Sequence, residues 1–148
     1  MNAGTGYMDG DQHVLSLRVY YEDTDAEGIV YYANYLKFAE RGRTEMLRCA
    51  GISQSALSAE HGVAFAVCDC RVKYRAPARL DDVIEVRSRL TELRGASVEA
   101  AQSIARDGQE LVHLDVRVAC VDHSGRPGRL PATVRTALAP YCQGLERG

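Results

Sequence analysis

The chain has no lysine-rich run, no internal repeat, no low-complexity tract and no interdomain linker. With a formal net charge of −2 and a pI near 6.1, it lacks the basic surplus of a general nucleic-acid binder or an electrostatic membrane anchor. No segment approaches the roughly 20 apolar residues of a membrane-crossing helix. Met1–Gln12 has neither the basic nor the apolar region of a signal peptide and reads as a flexible lead-in, which makes the expected address cytoplasmic. The five cysteines are odd in number and show no metal-type spacing, which fits a reducing compartment. Cys68-Asp69-Cys70 reads as alternate thiols packed on one face of a strand, not as a redox pair. His61, His113 and His123 form no close pair, and His13 falls at the end of the expected tail. No metal or redox cofactor is expected.

What remains is a chain of 148 residues, 46% hydrophobic and 26% charged, the balance of one soluble domain with its own core. Its expected extent is 13–142, with 143–148 as a C-terminal tail. Val14 to Tyr21, rich in β-branched and aromatic residues, predicts a first strand. Tyr35, Phe38, Ala39, Gly42, Met46 and Ala50 recur at helical spacing and predict a long helix from Tyr32 or Ala33 to Cys49, stopped by Gly51. Gly42 in mid-helix costs about 1 kcal/mol relative to alanine, so a close approach by another backbone is expected there. Ser53 to His61 reads as a short helical piece. Four β-type stretches follow, Val63 to Tyr74, Val83 to Leu93, Ser97 to Arg106 and Gln109 to Val121. They are separated by turn signals that include Asp107-Gly108. A short helix begins near Ala132. The pattern predicts an α+β fold in which one helix covers a five-stranded antiparallel sheet.

The chemistry concentrates between the first strand and the long helix, in Glu22-Asp23-Thr24-Asp25-Ala26-Glu27-Gly28. An ionised carboxylate needs no activating base to attack carbon, and a helix N-terminus offers free N–H groups to an oxygen gaining negative charge. Asp25 is the candidate nucleophile or base, and the amides of Tyr32 and Ala33 are the candidate donors. Tyr31 and Asn34 are candidate substrate contacts beside them, with Asn34 also suited to capping or ordering the loop. Glu40 with Arg41 or Arg43 reads as a structural ion pair.

Tyr20-Tyr21-Glu22-Asp23-Thr24-Asp25, Gly28, Val30-Tyr31, Ala33-Asn34-Tyr35 and Glu40-Arg41 with Arg43-Thr44-Glu45 resemble the signature of the YbgC-like acyl-CoA thioesterases. These are relatives of 4-hydroxybenzoyl-CoA thioesterase. Tyr74-Arg75-Ala76-Pro77-Ala78-Arg79-Leu80-Asp81-Asp82, Arg94-Gly95 and Leu130-Pro131 extend the likeness over nearly the whole chain after residue 13. Three positions depart from the family. Tyr32 stands where many members have histidine, Glu27 where small residues are frequent, and Gly42 where alanine is common.

The resemblance implies a hotdog fold, a curved antiparallel sheet wrapped around one long helix, assembled as a homodimer or homotetramer. It implies hydrolysis of an acyl-CoA thioester, with CoA as part of the substrate and Arg94, Arg126 and Arg129 near its phosphates. Two alternatives stay open, an aromatic thioesterase of the 4-hydroxybenzoyl-CoA type and a non-catalytic protein that binds acyl-CoA or acyl-carrier protein. The family is also associated with lipid synthesis and the Tol–Pal envelope system, a possible protein partner by resemblance alone.

Overall fold

A computed structural model describes residues 4–142 of the chain. The 143–148 tail lies outside the described residues. The strands are β1 (Tyr7–Asp9), β2 (Gln12–Arg18), β3 (Ala64–Tyr74), β4 (Val83–Leu93), β5 (Ser97–Arg106) and β6 (Gln109–Val121). The helices are α1 (Asn34–Cys49), α2 (Gln54–His61) and α3 (Ala132–Leu138). All strand pairings are antiparallel, in the order β1-β2-β4-β5-β6-β3. The last three long strands fall where their periodicity placed them. Asp107 and Gly108 adopt φ 51° and 80°, the doubly positive pair that a two-residue hairpin turn requires.

The sheet has six strands, not the expected five. The extra one, β1, lies within the stretch read as a lead-in and pairs with the start of β2 through Tyr7↔Val14 and Met8↔His13. His13 is therefore fully buried, not part of a tail, and its Nε2 lies 2.8 Å from the Thr5 carbonyl oxygen. Burial pushes the His13 imidazole below its ordinary pKa, against smaller opposing effects of the Thr5 hydrogen bond and the Glu45 charge. The folded state then binds fewer protons than the unfolded one. Stability from this site is complete above about pH 6.5 and falls as pH drops through the lower folded value, by at most about 1.4 kcal/mol per pH unit. Denaturant titrations across that range should show the slope in the natural protein and lose it in His13→Gln.

β2, the strand expected over Val14 to Tyr21, ends at Arg18. Asp23 Oδ2 accepts from the Tyr20 amide at 2.8 Å and folds Tyr21–Asp23 into one 3-10 turn. This side-chain bond competes with strand extension.

α1 spans about 24 Å at 1.5 Å per residue. Tyr35, Phe38, Ala39, Gly42 and Met46 form its buried face, as their spacing predicts. That face meets Leu15, Ile84, Val86, Ile104, Val112, Leu114 and Val116 on the concave side of the sheet. Each large apolar side chain so buried stabilises the fold by about 1.5–3 kcal/mol. A Cβ placed on Gly42 would stand 2.6 Å from Val86 Cγ1, 3.1 Å from Ser88 Oγ and 3.3 Å from Gln102 Nε2. The close neighbours are thus side chains of β4 and β5, not a backbone. In this chain Val86 occupies the room that an alanine methyl would take.

β3 pairs with β6 alone and is exposed along most of its length. A bulge between Val67 and Asp69 puts Cys68 out of register, whereas Cys70 sits opposite Val116. The simple alternation expected to pack both thiols on one face is broken, and both are exposed. Among the described residues no helix is long and apolar enough to cross a membrane.

Candidate active site at the start of the long helix

The segment between β2 and α1 folds back as a small hairpin. Thr24 bridges Val30, the Asp25 amide donates to the Ile29 carbonyl at 2.9 Å, and the Gly28 amide donates to the Asp25 carbonyl at 3.1 Å. Gly28 closes the turn at φ 79°, a conformation that favours glycine. Buried Val30 anchors the hairpin, its amide donating to the carbonyl of buried Ala78 at 2.9 Å. The Leu80 amide bonds back to Gly28 at 3.0 Å. The Tyr74–Asp82 segment therefore supports the loop, and Asp82 is tied to Arg106 at 2.7 Å. Partial burial pushes the Asp82 carboxyl up, but the Arg79 amide and the Arg106 ion pair together outweigh it and hold the group below its ordinary pKa.

Asp25 is exposed at the hairpin tip. Its Oδ1 accepts the Glu27 amide at 2.9 Å, which fixes the side chain in an Asx turn, and its other oxygen is without a hydrogen bond among the described residues. Asp23 orders the loop, its carbonyl accepting both the Tyr31 amide at 3.0 Å and Asn34 Nδ2 at 2.8 Å. Asn34 is thus a loop-ordering residue as well as the first residue of α1. No side chain caps this helix, and among the described residues the Tyr32 and Ala33 amides donate to no protein group. Five of the expected site residues, Asp25, Tyr31, Tyr32, Ala33 and Asn34, share this loop.

The three expected arginines do not join them. Arg94 lies in the β4–β5 turn and Arg126 and Arg129 in the loop after β6. These two segments are stitched together by the Leu130 amide on the Gly95 carbonyl at 2.9 Å. They sit at the far end of the strands, about 30 Å from the Asp25 end at 3.3 Å per residue. Arg94 grips Glu92 Oε2 through Nη2 at 2.8 Å and Nε at 3.1 Å, and reaches Glu99 at 3.9 Å. Its guanidinium is committed to the sheet's own carboxylates. Arg126 and Arg129 are exposed and form no ion pair among the described residues. The Asp122 carboxylate, which accepts the Ser124 hydroxyl and the Arg126 amide, holds their loop in shape.

Two features escaped the sequence reading. One is an aromatic group at the helix start, where Tyr74 at the end of β3 meets Tyr32 edge-on at 6.3 Å and Tyr35 at 5.7 Å. Its only signal in the sequence is its place at the head of the Tyr74–Asp82 motif. The other is a cavity of about 240 Å³ between α1 and the sheet, lined among others by Arg43, Met46, Phe65, Leu90 and Val118. It lies along the second half of the helix, away from Asp25 of the same chain. Arg43 reaches fully buried Gln102 Oε1 at 3.0 Å, and Gln102 Nε2 donates to Ser88 Oγ and the Ala39 carbonyl. The expected ion pair of Glu40 with Arg41 or Arg43 is absent among the described residues. Gln102, invisible as a partner in the sequence, takes the Arg43 guanidinium instead.

An antiparallel sheet wrapped on one long helix is the hotdog fold of the thioesterases. The chain belongs to the thioesterase-like superfamily, whose family model matches residues 19–139. It is 48% identical over 120 residues to the acyl-CoA thioester hydrolase YbgC of Escherichia coli O6:H1, covering 80% of this chain and 89% of that protein. It is 42% identical over 123 residues to the acyl-CoA thioesterase YbgC of Haemophilus influenzae, covering 82% and 90%. The crystal structure of a probable thioesterase from Bartonella henselae superposes with TM-score 0.77 at 35% identity, covering 81% of this chain and 99% of that one.

Proposed function

We propose that this protein hydrolyses acyl-CoA thioesters, with Asp25 as the attacking or water-activating carboxylate. The observation that carries the reading is the shared loop. One carboxylate oxygen of Asp25 is uncommitted, and the undonated amides of the helix start belong to the same short segment. In one route Asp25 adds to the thioester carbon, the C–S bond breaks to release CoA thiolate, and water then cleaves the mixed anhydride. In the other, Asp25 takes a proton from the attacking water. In both, the carbonyl oxygen gains charge beside the Tyr32 and Ala33 amides, where each preorganised donor contributes about 3–4 kcal/mol. Release of free thiol from a panel of short, long and aromatic CoA esters tests the activity and ranks the acyl groups. Binding of these esters without thiol release would instead favour a non-catalytic acyl-CoA or acyl-carrier-protein binder.

The working unit in this proposal is a homodimer formed along β3. Its unpaired edge and exposed Val67 and Tyr74 are a surface that a second copy covers. A two-fold axis pairs β3 with itself antiparallel and lays the Ala64 end of one copy beside the Tyr74 end of the other. The Arg126 and Arg129 loop, which follows the β6 segment paired with Ala64, then approaches the Asp25 loop of the opposite subunit. This geometry supports a CoA site shared between chains.

Removing both charges (Arg126→Ala with Arg129→Ala) should raise KM for CoA esters about tenfold and leave small thioesters unaffected. Equal effects on both substrate types count against a phosphate role. A 1:1 mixture of this variant with Asp25→Asn, exchanged into mixed dimers and assayed at low substrate, should recover about a quarter of natural activity. Half the dimers are then mixed, and each carries one intact site.

A further inference from the structure

Tyr74 is the last residue of β3, and its phenol reaches across to the start of α1. The Oη donates to the Tyr32 carbonyl oxygen at 3.2 Å. Its ring is held by two others. Tyr35 lies 5.7 Å away and is itself buried, with its hydroxyl accepting the Ala78 amide at 2.9 Å, and Tyr32 closes the far side edge-on. The acceptor matters more than the ring packing. The Tyr32 carbonyl and the Ala33 N–H belong to one planar peptide unit and point in opposite directions. A donor fixed on that oxygen therefore sets the direction of that N–H. It also draws electron density toward the oxygen and leaves the N–H a stronger donor, as in any hydrogen-bond chain.

The neighbouring peptide groups are tied from the loop side. The Tyr31 amide and Asn34 Nδ2 both bond the Asp23 carbonyl, and the Asn34 amide bonds the Tyr31 carbonyl at 2.8 Å. The Tyr32–Ala33 peptide receives no such tie. Among the described residues its carbonyl accepts from Tyr74 alone. Its orientation thus depends on a side chain from the other end of the sequence motif, on the sheet edge.

We infer that Tyr74 is a positioning residue for thioester hydrolysis, aiming and polarising the Ala33 amide toward the oxygen that becomes negative. The inference rests on the proposal that the thioester oxygen lies at the start of α1. Partial burial, with Tyr32 and Tyr35 nearby, raises the Tyr74 phenol above its ordinary pKa, so it remains a donor through neutral and mildly alkaline pH. Tyr74 touches neither the substrate carbon nor the attacking oxygen in this role. Its effect falls on the step in which charge develops, and substrate binding is spared.

Tyr74→Phe keeps the ring and removes the donor. The expected result is a kcat about tenfold lower, with KM within about twofold and a melting temperature lowered by no more than about 4 °C, the size of one lost hydrogen bond. A second variant carries a fluorinated tyrosine at position 74, whose phenol ionises at lower pH. Its kcat should fall at a correspondingly lower alkaline pH than that of the natural protein. Unchanged kcat in Tyr74→Phe, or an alkaline limb that the fluorinated residue does not move, overturns the assignment. Asp25→Asn assayed in parallel separates the two ideas. An inactive Asp25→Asn beside a fully active Tyr74→Phe removes only the role of Tyr74. An active Asp25→Asn removes the site reading and the inference with it.

Discussion

Asp25→Asn is expected to yield a folded protein whose thioester turnover is lower by about 10³-fold, or about 4 kcal/mol in the barrier. The fold should survive for a local reason. Asparagine keeps the side-chain oxygen that accepts the Glu27 amide at 2.9 Å, so the Asx turn and the Gly28 hairpin persist. The side chain is also exposed, and no buried partner loses its charge. What disappears is the anionic oxygen that would attack carbon or take a proton from water. The helix-start amides remain, so some acceleration over solution should persist. Circular dichroism and the melting temperature monitor the fold, and thiol release with a saturating CoA ester measures turnover. Near-natural turnover in a folded Asp25→Asn protein would sink the assignment of Asp25.

Gly42→Val should have the largest effect on stability, a loss of about 3 kcal/mol from overpacking. The first added atom would already stand 2.6 Å from Val86 Cγ1, and Val86 is itself fully buried between helix and sheet. Relief would require α1 to lift from β4 and β5. Lifting it would stretch the two bonds that join α1 to Gln102 on β5, from Gln102 to the Ala39 carbonyl at 2.9 Å and from Arg43 to Gln102 at 3.0 Å. Gly51, whose missing Cβ faces open space, is the contrast, since its positive φ and not crowding makes it glycine. Urea unfolding of Gly42→Val should show a lower midpoint with a similar slope. A midpoint within experimental scatter of the natural protein would mean that α1 and the sheet are less closely packed than these distances require.

The helical repeat of Tyr35 to Met46 and the alternation in the last three strands were legible because each pattern reports one buried face. The hairpin that carries Asp25 was legible because its glycine turn and the helix start lie within one short segment. The tie from Tyr74 to Tyr32 spans 42 residues and depends on the register of β3, which no local pattern states. Gln102 likewise reads as an ordinary polar residue in an alternating strand until β5 is seen to face Gly42. His13 and β1 were missed for a related reason, since three paired residues are too few to show periodicity. The arginines show the converse limit. Their residue type suits phosphate, but only the strand order reveals that they lie at the opposite end of the sheet from Asp25.

The irregularity at Cys68 bears on how the protein avoids runaway aggregation. A straight exposed strand is a template on which any extended chain can add, one layer after another. The register shift between Val67 and Asp69 bends β3 part-way along and interrupts its even row of donors and acceptors. In the proposed dimer the partner's β3, met in the opposite direction, carries the same interruption, and the two β3 edges cover each other. The defect in the ladder thus makes the β3 edge a poor template for open-ended addition.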